Sequence, residues 1–165
     1  MANREEFCNA VTDIWKNHGV YLWGGNGEYT EKQTIKHIRS AETSGANAAR
    51  VFKYIGECYA KDFDMSKSRM CDCSGMVIAA LRDIKAISST TDYRAKDLQK
   101  LCKAVKIKNL KAGDLVFNAA SDASHVGVYV GFDMVIESRG RDFGVVKRKV
   151  TDGDWKIGGQ LPYFK

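Results

Sequence analysis

Hydrophobic residues in the first two thirds of the chain recur at the spacing of helices, which return to the same face about every 3.6 residues. The first such segment, residues 3–18, begins with Asn3 and Glu6 in the pattern of a capping box and stops at Gly19. Its apolar face is formed by Phe7, Val11, Ile14 and Trp15. The same spacing predicts further helices over residues 43–60, 74–84 and 95–105.

From residue 114 onward the spacing changes to alternation, which is typical of strands. Predicted strands cover residues 114–118, 124–130, 134–139 and 144–150, with 160–164 closing the sheet. An aromatic strand over 21–23 is predicted to run into the glycine-rich turn at 24–27. Because helices precede a run of antiparallel strands, the sequence predicts an α+β fold with N-terminal helices packed on an antiparallel β-sheet.

Composition favours a single folded unit. The chain has 165 residues, of which 44% are hydrophobic, and a chain of this size buries roughly 70% of its unfolded surface. It contains one proline and no repetitive or linker-like segment. The sequence therefore predicts one domain over residues 1–165.

The net charge of +6 favours a polyanionic partner such as nucleic acid, an anionic membrane or a phosphate-rich cell wall, although it can equally serve solubility alone. Apart from residues 147–149, the basic side chains are scattered, unlike the basic block of a nucleic-acid-binding tail. No apolar run approaches the roughly 20 residues of a membrane span. We therefore expect neither a nucleic-acid partner nor membrane insertion.

The N-terminal residues and the cysteines both bear on the compartment. Residues 1–7 lack the apolar core of a signal peptide, so we expect synthesis in the cytoplasm without an export signal. The five cysteines are odd in number and irregular in spacing. They predict no disulfide framework, which agrees with a reducing compartment.

The segment Cys71-Asp72-Cys73-Ser74-Gly75 lies where a loop is predicted to become a helix. A cysteine in the first helical turn faces free backbone N–H groups and the positive end of the helix dipole, which favour a reactive thiolate. The same N–H groups can stabilise a developing oxyanion. The segment alone supports a buried structural cysteine equally well.

Two further side chains complete a candidate catalytic site. His125 begins an apolar strand, and a cysteine with a spatially adjacent histidine forms a nucleophile–base pair, although a single histidine is more often a packing residue. Glu137 interrupts the next apolar strand. If the two strands form a hairpin, Glu137 returns beside His125 and can orient the imidazole. A solvent-facing glutamate is the alternative.

Four segments together resemble the NlpC family of papain-like cysteine peptidases, in the order of that family. They are Tyr21-x-Trp23-Gly24-Gly25, Asp72-Cys73-Ser74-Gly75, Gly113-Asp114-Leu115-Val116-Phe117 and Ser124-His125-Val126-Gly127-Val128-Tyr129-Val130-Gly131. The resemblance covers most of residues 21–150. The stretches at 135–140 and 144–146 look most like phage-borne members, in which the enzyme is a lysin.

The resemblance implies a papain-like core and cleavage of bacterial peptidoglycan stem peptides, typically after a D-glutamyl residue linked through its γ-carboxyl. We expect no cofactor and no metal. By position, Tyr21 would border Cys73 and contact substrate or oxyanion, while Asp72 and Ser124 would line the pocket. Without an export signal, such an enzyme would reach the wall by another route, for example a phage holin, a virion tail or a secretion apparatus.

Two features depart from the family pattern. Residues 26–70 separate the Trp-Gly-Gly segment from the cysteine segment, where the family usually has roughly ten to fifteen residues, so a helical insertion is predicted there. The family's third polar residue is often histidine, whereas Glu137 occupies its position here.

Three other interpretations remain open from the residues. A zinc site could use Cys71, Cys73 and a histidine, but the Cys-x-Cys spacing and the lack of a second cysteine pair disfavour it. An N-acetylmuramoyl-L-alanine amidase or an acyltransferase would use the same Cys–His pair. A non-catalytic module that binds wall or nucleic acid would use only the basic surface.

Overall fold

The computed structural model describes residues 2–61 and 64–164. Its helices are α1 (Arg4–Lys16), α2 (Ile35–Ala41), α3 (Gly45–Tyr59), α4 (Cys73–Asp83) and α5 (Ala95–Leu101). Its strands are β1 (Asn26–Tyr29), β2 (Arg69–Cys71), β3 (Lys103–Val105), β4 (Leu115–Phe117), β5 (Val126–Gly131), β6 (Met134–Gly140), β7 (Gly144–Lys149) and β8 (Ile157–Gln160).

Strands β3 to β8 form one antiparallel sheet in the order β3-β8-β4-β5-β6-β7. Helix α4 is buried from Gly75 to Leu81 because small and apolar residues surround its axis, and it packs against α1, β5 and β6. Helix α1 begins with the predicted capping box of Asn3 and Glu6 and buries Phe7, Val11 and Ile14. The predicted α+β, papain-like arrangement of helices on an antiparallel sheet is confirmed.

Between residues 26 and 70, the predicted insertion holds β1, α2, α3 and the start of β2. Strands β1 and β2 pair with each other in a separate two-stranded sheet. A second apolar cluster joins this segment to the chain before it, and its buried members are Val20, Leu22, Ile38, Val51, Cys58 and Met70. Residues 62–63 of the predicted insertion, and residues 1 and 165 of the predicted domain, lie outside the described residues.

Three predicted elements differ in the structure. Residues 21–22 have no regular secondary structure and residues 23–24 form a turn, so the first strand begins only at Asn26. The chain bends here because Gly24 has a positive φ and the Gly25 N–H donates to the carbonyl oxygen of Leu22. The predicted helix over 95–105 ends at Leu101, and its last residues form strand β3 at the sheet edge.

The last strand also lies elsewhere than predicted. Strand β8 covers Ile157–Gln160 instead of 160–164, and it lies between β3 and β4 instead of closing an edge. Gly159 permits this position, because a Cβ there would lie 2.7 Å from the Cys102 Cβ. Pro162 lacks the N–H that would continue the ladder. Among the described helices, none has the length and apolar composition needed to cross a membrane.

Candidate active site

Cys73 is the first residue of α4, and Asp72 caps that helix. One carboxylate oxygen of Asp72 accepts the Gly75 N–H at 2.7 Å, and the other accepts the Gly24 N–H at 3.1 Å. A Cβ on Gly75 would lie 1.8 Å from the carbonyl oxygen of Gly25, so only glycine fits there. The Asp-Cys-Ser-Gly segment therefore fixes the Trp-Gly-Gly turn against the helix start that carries the thiol.

The backbone at His125 is held by Asn118, a side chain that the sequence analysis missed. The Asn118 Oδ1 accepts the N–H groups of Ser124 at 3.1 Å and His125 at 3.0 Å, while its Nδ2 donates to the Ser124 Oγ at 2.9 Å. The carbonyl oxygen of Ser124 lies 3.8 Å from the Cys73 Sγ. Ser124 thus links the histidine segment directly to the cysteine.

Trp155 covers one face of the His125 ring. The two rings are nearly parallel, with an interplanar angle of 12° and centroids 5.5 Å apart. Gly127 makes room for this stack, since a Cβ there would lie 3.1 Å from the Trp155 ring. The imidazole is therefore restrained by packing as well as by hydrogen bonds.

Glu137 lies behind His125, as the hairpin prediction required. Strands β5 and β6 pair Val128 with Ile136, which places the next residue of β6 on the side of the histidine. The Glu137 Oε1 is 3.4 Å from the His125 Nε2. The glutamate is 1% exposed, so the alternative of a solvent-facing side chain is wrong.

Arg148 neutralises the buried Glu137 from strand β7. Its Nη2 donates to Oε1 at 3.1 Å and its Nε donates to Oε2 at 3.2 Å, which is a bidentate pair. The residue belongs to the basic run at 147–149, the one sequence signal that could have drawn attention to it. The sequence does not show that Arg148 pairs with Glu137, because the two residues lie on different strands.

The pKa values of His125 and Glu137 are displaced in complementary directions. Burial alone would lower the pKa of His125, but hydrogen bonds and charges from Cys73 and Glu137 outweigh it and raise the pKa to about 9. Burial alone would raise the pKa of Glu137, but His125 and Arg148 outweigh it and lower that pKa. Both shifts favour an imidazolium beside a carboxylate at neutral pH.

Cys73 and His125 open onto a cleft of about 650 Å³ that also contains the other sequence-predicted residues, Tyr21, Asp72 and Ser124. Burial, followed by the nearby Cys73 and Asp72, raises the pKa of Tyr21 to about 12, so its hydroxyl stays protonated. A second cavity of about 730 Å³ lies between α1 and the end of α4 and contains none of these residues. The cleft with the cysteine is therefore the candidate active site.

The segment at 26–70 supports one wall of this cleft. Glu42 accepts the Trp23 N–H at 3.0 Å and the Arg141 Nε at 2.7 Å. Arg50 of α3 lines the cleft and pairs with Asp142. Through these contacts, part of the predicted insertion lies beside the cleft.

Cys71, one of the proposed zinc ligands, does not share the surroundings of Cys73. It is fully buried, and burial raises its pKa to about 12. Within residues 2–61 and 64–164, no group of three or more His, Cys, Asp or Glu side chains is arranged to hold a metal ion.

Comparison with known proteins agrees with this architecture. Residues 18–157 match the sequence profile of the NlpC/P60 family. That match spans most of the chain, and the chain belongs to the NlpC/P60 family. The resemblance carried by the four sequence segments is thereby confirmed.

Among curated proteins, the chain is 33% identical over 89 residues to the murein DD-endopeptidase MepS/murein LD-carboxypeptidase of Escherichia coli (strain K12). The alignment covers 52% of this chain and 44% of that protein, so the chain spans less than half the length of the curated relatives it matches.

Among solved structures, the NlpC/p60 domain of the peptidoglycan hydrolase SagA superposes with a TM-score of 0.62 at 15% identity, covering 97% of this chain and 100% of that one. The peptidoglycan hydrolase RipB of Mycobacterium tuberculosis gives a TM-score of 0.62 at 19% identity, covering 96% and 66%. At these identities the likeness shows the fold.

Proposed function

We propose that this chain is a cysteine peptidase that hydrolyses the stem peptides of bacterial peptidoglycan, at the bond that follows a γ-linked D-glutamyl residue. The observation that carries the proposal is that Cys73 and His125 line one cleft of an NlpC/P60 chain, with Glu137 hydrogen-bonded to His125 from behind. The names of its relatives, a murein endopeptidase and peptidoglycan hydrolases, support the same substrate.

In the proposed reaction, the Cys73 thiolate attacks the scissile carbonyl carbon and forms a tetrahedral intermediate. Backbone N–H groups at the start of α4 stabilise its oxyanion, as does the protonated hydroxyl of Tyr21. The His125 imidazolium then donates its proton to the leaving amine, and a thioester forms on Cys73. Neutral His125 next takes a proton from water, which attacks the thioester and releases the carboxylic acid product and the thiolate.

The groups behind His125 hold its ring for both steps. Glu137 accepts a hydrogen bond from Nε2, which leaves Nδ1 to face the thiol, and Trp155 prevents the ring from tilting. Arg148 acts through Glu137 and is a positioning residue, because it fixes both carboxylate oxygens without touching the imidazole. Asp72 and Ser124 shape the pocket, although both oxygens of Asp72 already accept backbone N–H groups.

Incubation with purified peptidoglycan, followed by mass analysis of the fragments, tests this function. We expect stem peptides cut after glutamate, with the L-alanine end still attached to the sugar. Release of whole stem peptides that begin with L-alanine would indicate an amidase instead. Fragments unchanged from the starting wall would contradict an enzymatic role. The phage-lysin origin and the route to the wall stay predictions.

The pH dependence of hydrolysis is expected to report the proton on His125. Because Cys73 and Glu137 raise the His125 pKa to about 9, the imidazolium acid is present below that pH and is lost as pH rises through it. In Glu137→Gln the carboxylate charge disappears, so the alkaline limb of kcat/KM should move to lower pH. Steady-state rates on a soluble peptide measure this limb, and an identical limb in both proteins would contradict the electrostatic role of Glu137.

A further inference from the structure

The cleft carries an excess of positive side chains. Its lining includes the carboxylates Asp72 and Asp122 and five cationic residues: Arg50, Arg94, Lys96, Arg139 and Arg141. Three of the arginines are matched by carboxylates, in the pairs Arg50–Asp142 at 2.7 Å, Arg94–Asp97 at 2.9 Å and Arg141–Glu42 at 2.7 Å. The cations without an ion-pair partner among the described residues are therefore Arg139 and Lys96.

Of these two, Arg139 is the one held in place beside the catalytic groups. It follows Glu137 by two residues on β6, and it lines both the cleft and the pocket of about 320 Å³ that contains His125, Glu137 and Trp155. Its Cζ lies 4.1 Å from the centre of the Phe143 ring. That contact restrains the side chain before any ligand binds and leaves its N–H groups available as donors.

The proposed substrate supplies a matching anion. A glutamyl residue linked through its γ-carboxyl keeps its α-carboxyl group, which is a carboxylate unless the peptide is amidated. In this residue only three carbon atoms separate the scissile carbonyl from the α-carboxyl group, and Cys73 and Arg139 line the same cleft. A guanidinium binds a carboxylate through two parallel hydrogen bonds. A carboxamide has no charge, and its NH₂ group would face the donors of the arginine.

We propose that Arg139 binds the α-carboxylate of the γ-linked glutamyl residue and makes the enzyme selective for stem peptides in which that group is free over those in which it is amidated. This inference rests on the proposed function. It specifies which chemical form of the glutamyl residue, the free acid or the amide, the site prefers.

The test uses two synthetic stem peptides that differ only in this group, one with the free α-carboxylate and one with the α-carboxamide. For the wild-type enzyme we expect kcat/KM to be about 10- to 100-fold higher on the free acid, as for a charge-assisted hydrogen-bonded pair. Arg139→Gln should bring the ratio close to one, mainly by lowering kcat/KM on the free acid. Arg139→Lys should retain part of the preference.

Arg94→Gln is the matched control, because it removes the same charge from the same cleft at a residue already paired with Asp97. It should keep the wild-type ratio. Equal cleavage of both peptides by the wild-type enzyme would overturn this inference and leave the proposed function intact. Cleavage of neither peptide would overturn the proposed function and this inference with it. A wild-type preference retained in folded Arg139→Gln would overturn the assignment to Arg139, and Arg139→Ala tests the same assignment if Arg139→Gln folds poorly.

Discussion

Cys73→Ala is expected to abolish the hydrolysis of peptidoglycan, with a loss of at least about 10⁴-fold, on the scale seen when a catalytic nucleophile is removed. The reason is that, among the described residues, Cys73 carries the one thiol that lines the cleft with His125, so nothing replaces the attacking sulfur. Release of soluble fragments from purified peptidoglycan, separated by chromatography, measures the loss. His125→Ala should produce nearly the same deficit, because it removes both the proton donor and the base.

Cys71→Ala is the matched control for the nucleophile. This cysteine is two residues away, fully buried, and has its pKa raised to about 12 by burial. It should therefore retain activity. An inactive Cys71→Ala together with an active Cys73→Ala would show that the nucleophile is assigned to the wrong residue. Full activity in both would remove the cysteine peptidase mechanism altogether.

Glu137→Gln is expected to lower turnover by about 10²- to 10⁴-fold, by analogy with changes at the carboxylate of a catalytic triad. Glutamine keeps a hydrogen-bond acceptor near the His125 Nε2 but loses the charge that favours the imidazolium. It also leaves the guanidinium of Arg148 without its carboxylate. The measurement is steady-state kcat on a soluble stem peptide at neutral pH.

Asp114→Asn provides the control for stability in this experiment. Asp114 is also a buried carboxylate paired with an arginine, Arg4, at 2.7 Å, but it lies outside the cleft. This change should lower the thermal unfolding temperature while kcat stays close to that of the wild type. A wild-type rate in Glu137→Gln would leave the pair of Cys73 and His125 standing and transfer the orienting role to another group.

The sequence predicted the parts of the site that depend on local pattern. The change from loop to apolar helix places Cys73 at a helix start, and the alternation that begins at residue 124 places His125 directly before strand β5. The approach of Glu137 to His125 followed from the hairpin of two adjacent strands, whose register is set by alternation and by the short turn at 132–133.

The supporting side chains could not be predicted in the same way, because they come from segments distant in the chain. Trp155 follows a short helical turn and carries no periodic signal, yet it stacks on His125. The contact of Glu42 with Arg141 joins residues 99 positions apart. The place of β8 between β3 and β4 depends on glycines that fit against neighbouring strands and helices, which a one-dimensional pattern does not encode.

The central claim, that the Cys73 thiolate paired with His125 carries out the hydrolysis, is tested most directly by limited alkylation with iodoacetamide at mildly acidic pH. Each sample is divided between peptide mass mapping and a peptidoglycan hydrolysis assay. Burial raises the pKa of the other four thiols, which are Cys8, Cys58, Cys71 and Cys102. We therefore predict that the first equivalent of label is found on Cys73 and that hydrolysis falls in proportion to its modified fraction. Undiminished hydrolysis by protein fully alkylated at Cys73 would contradict the claim.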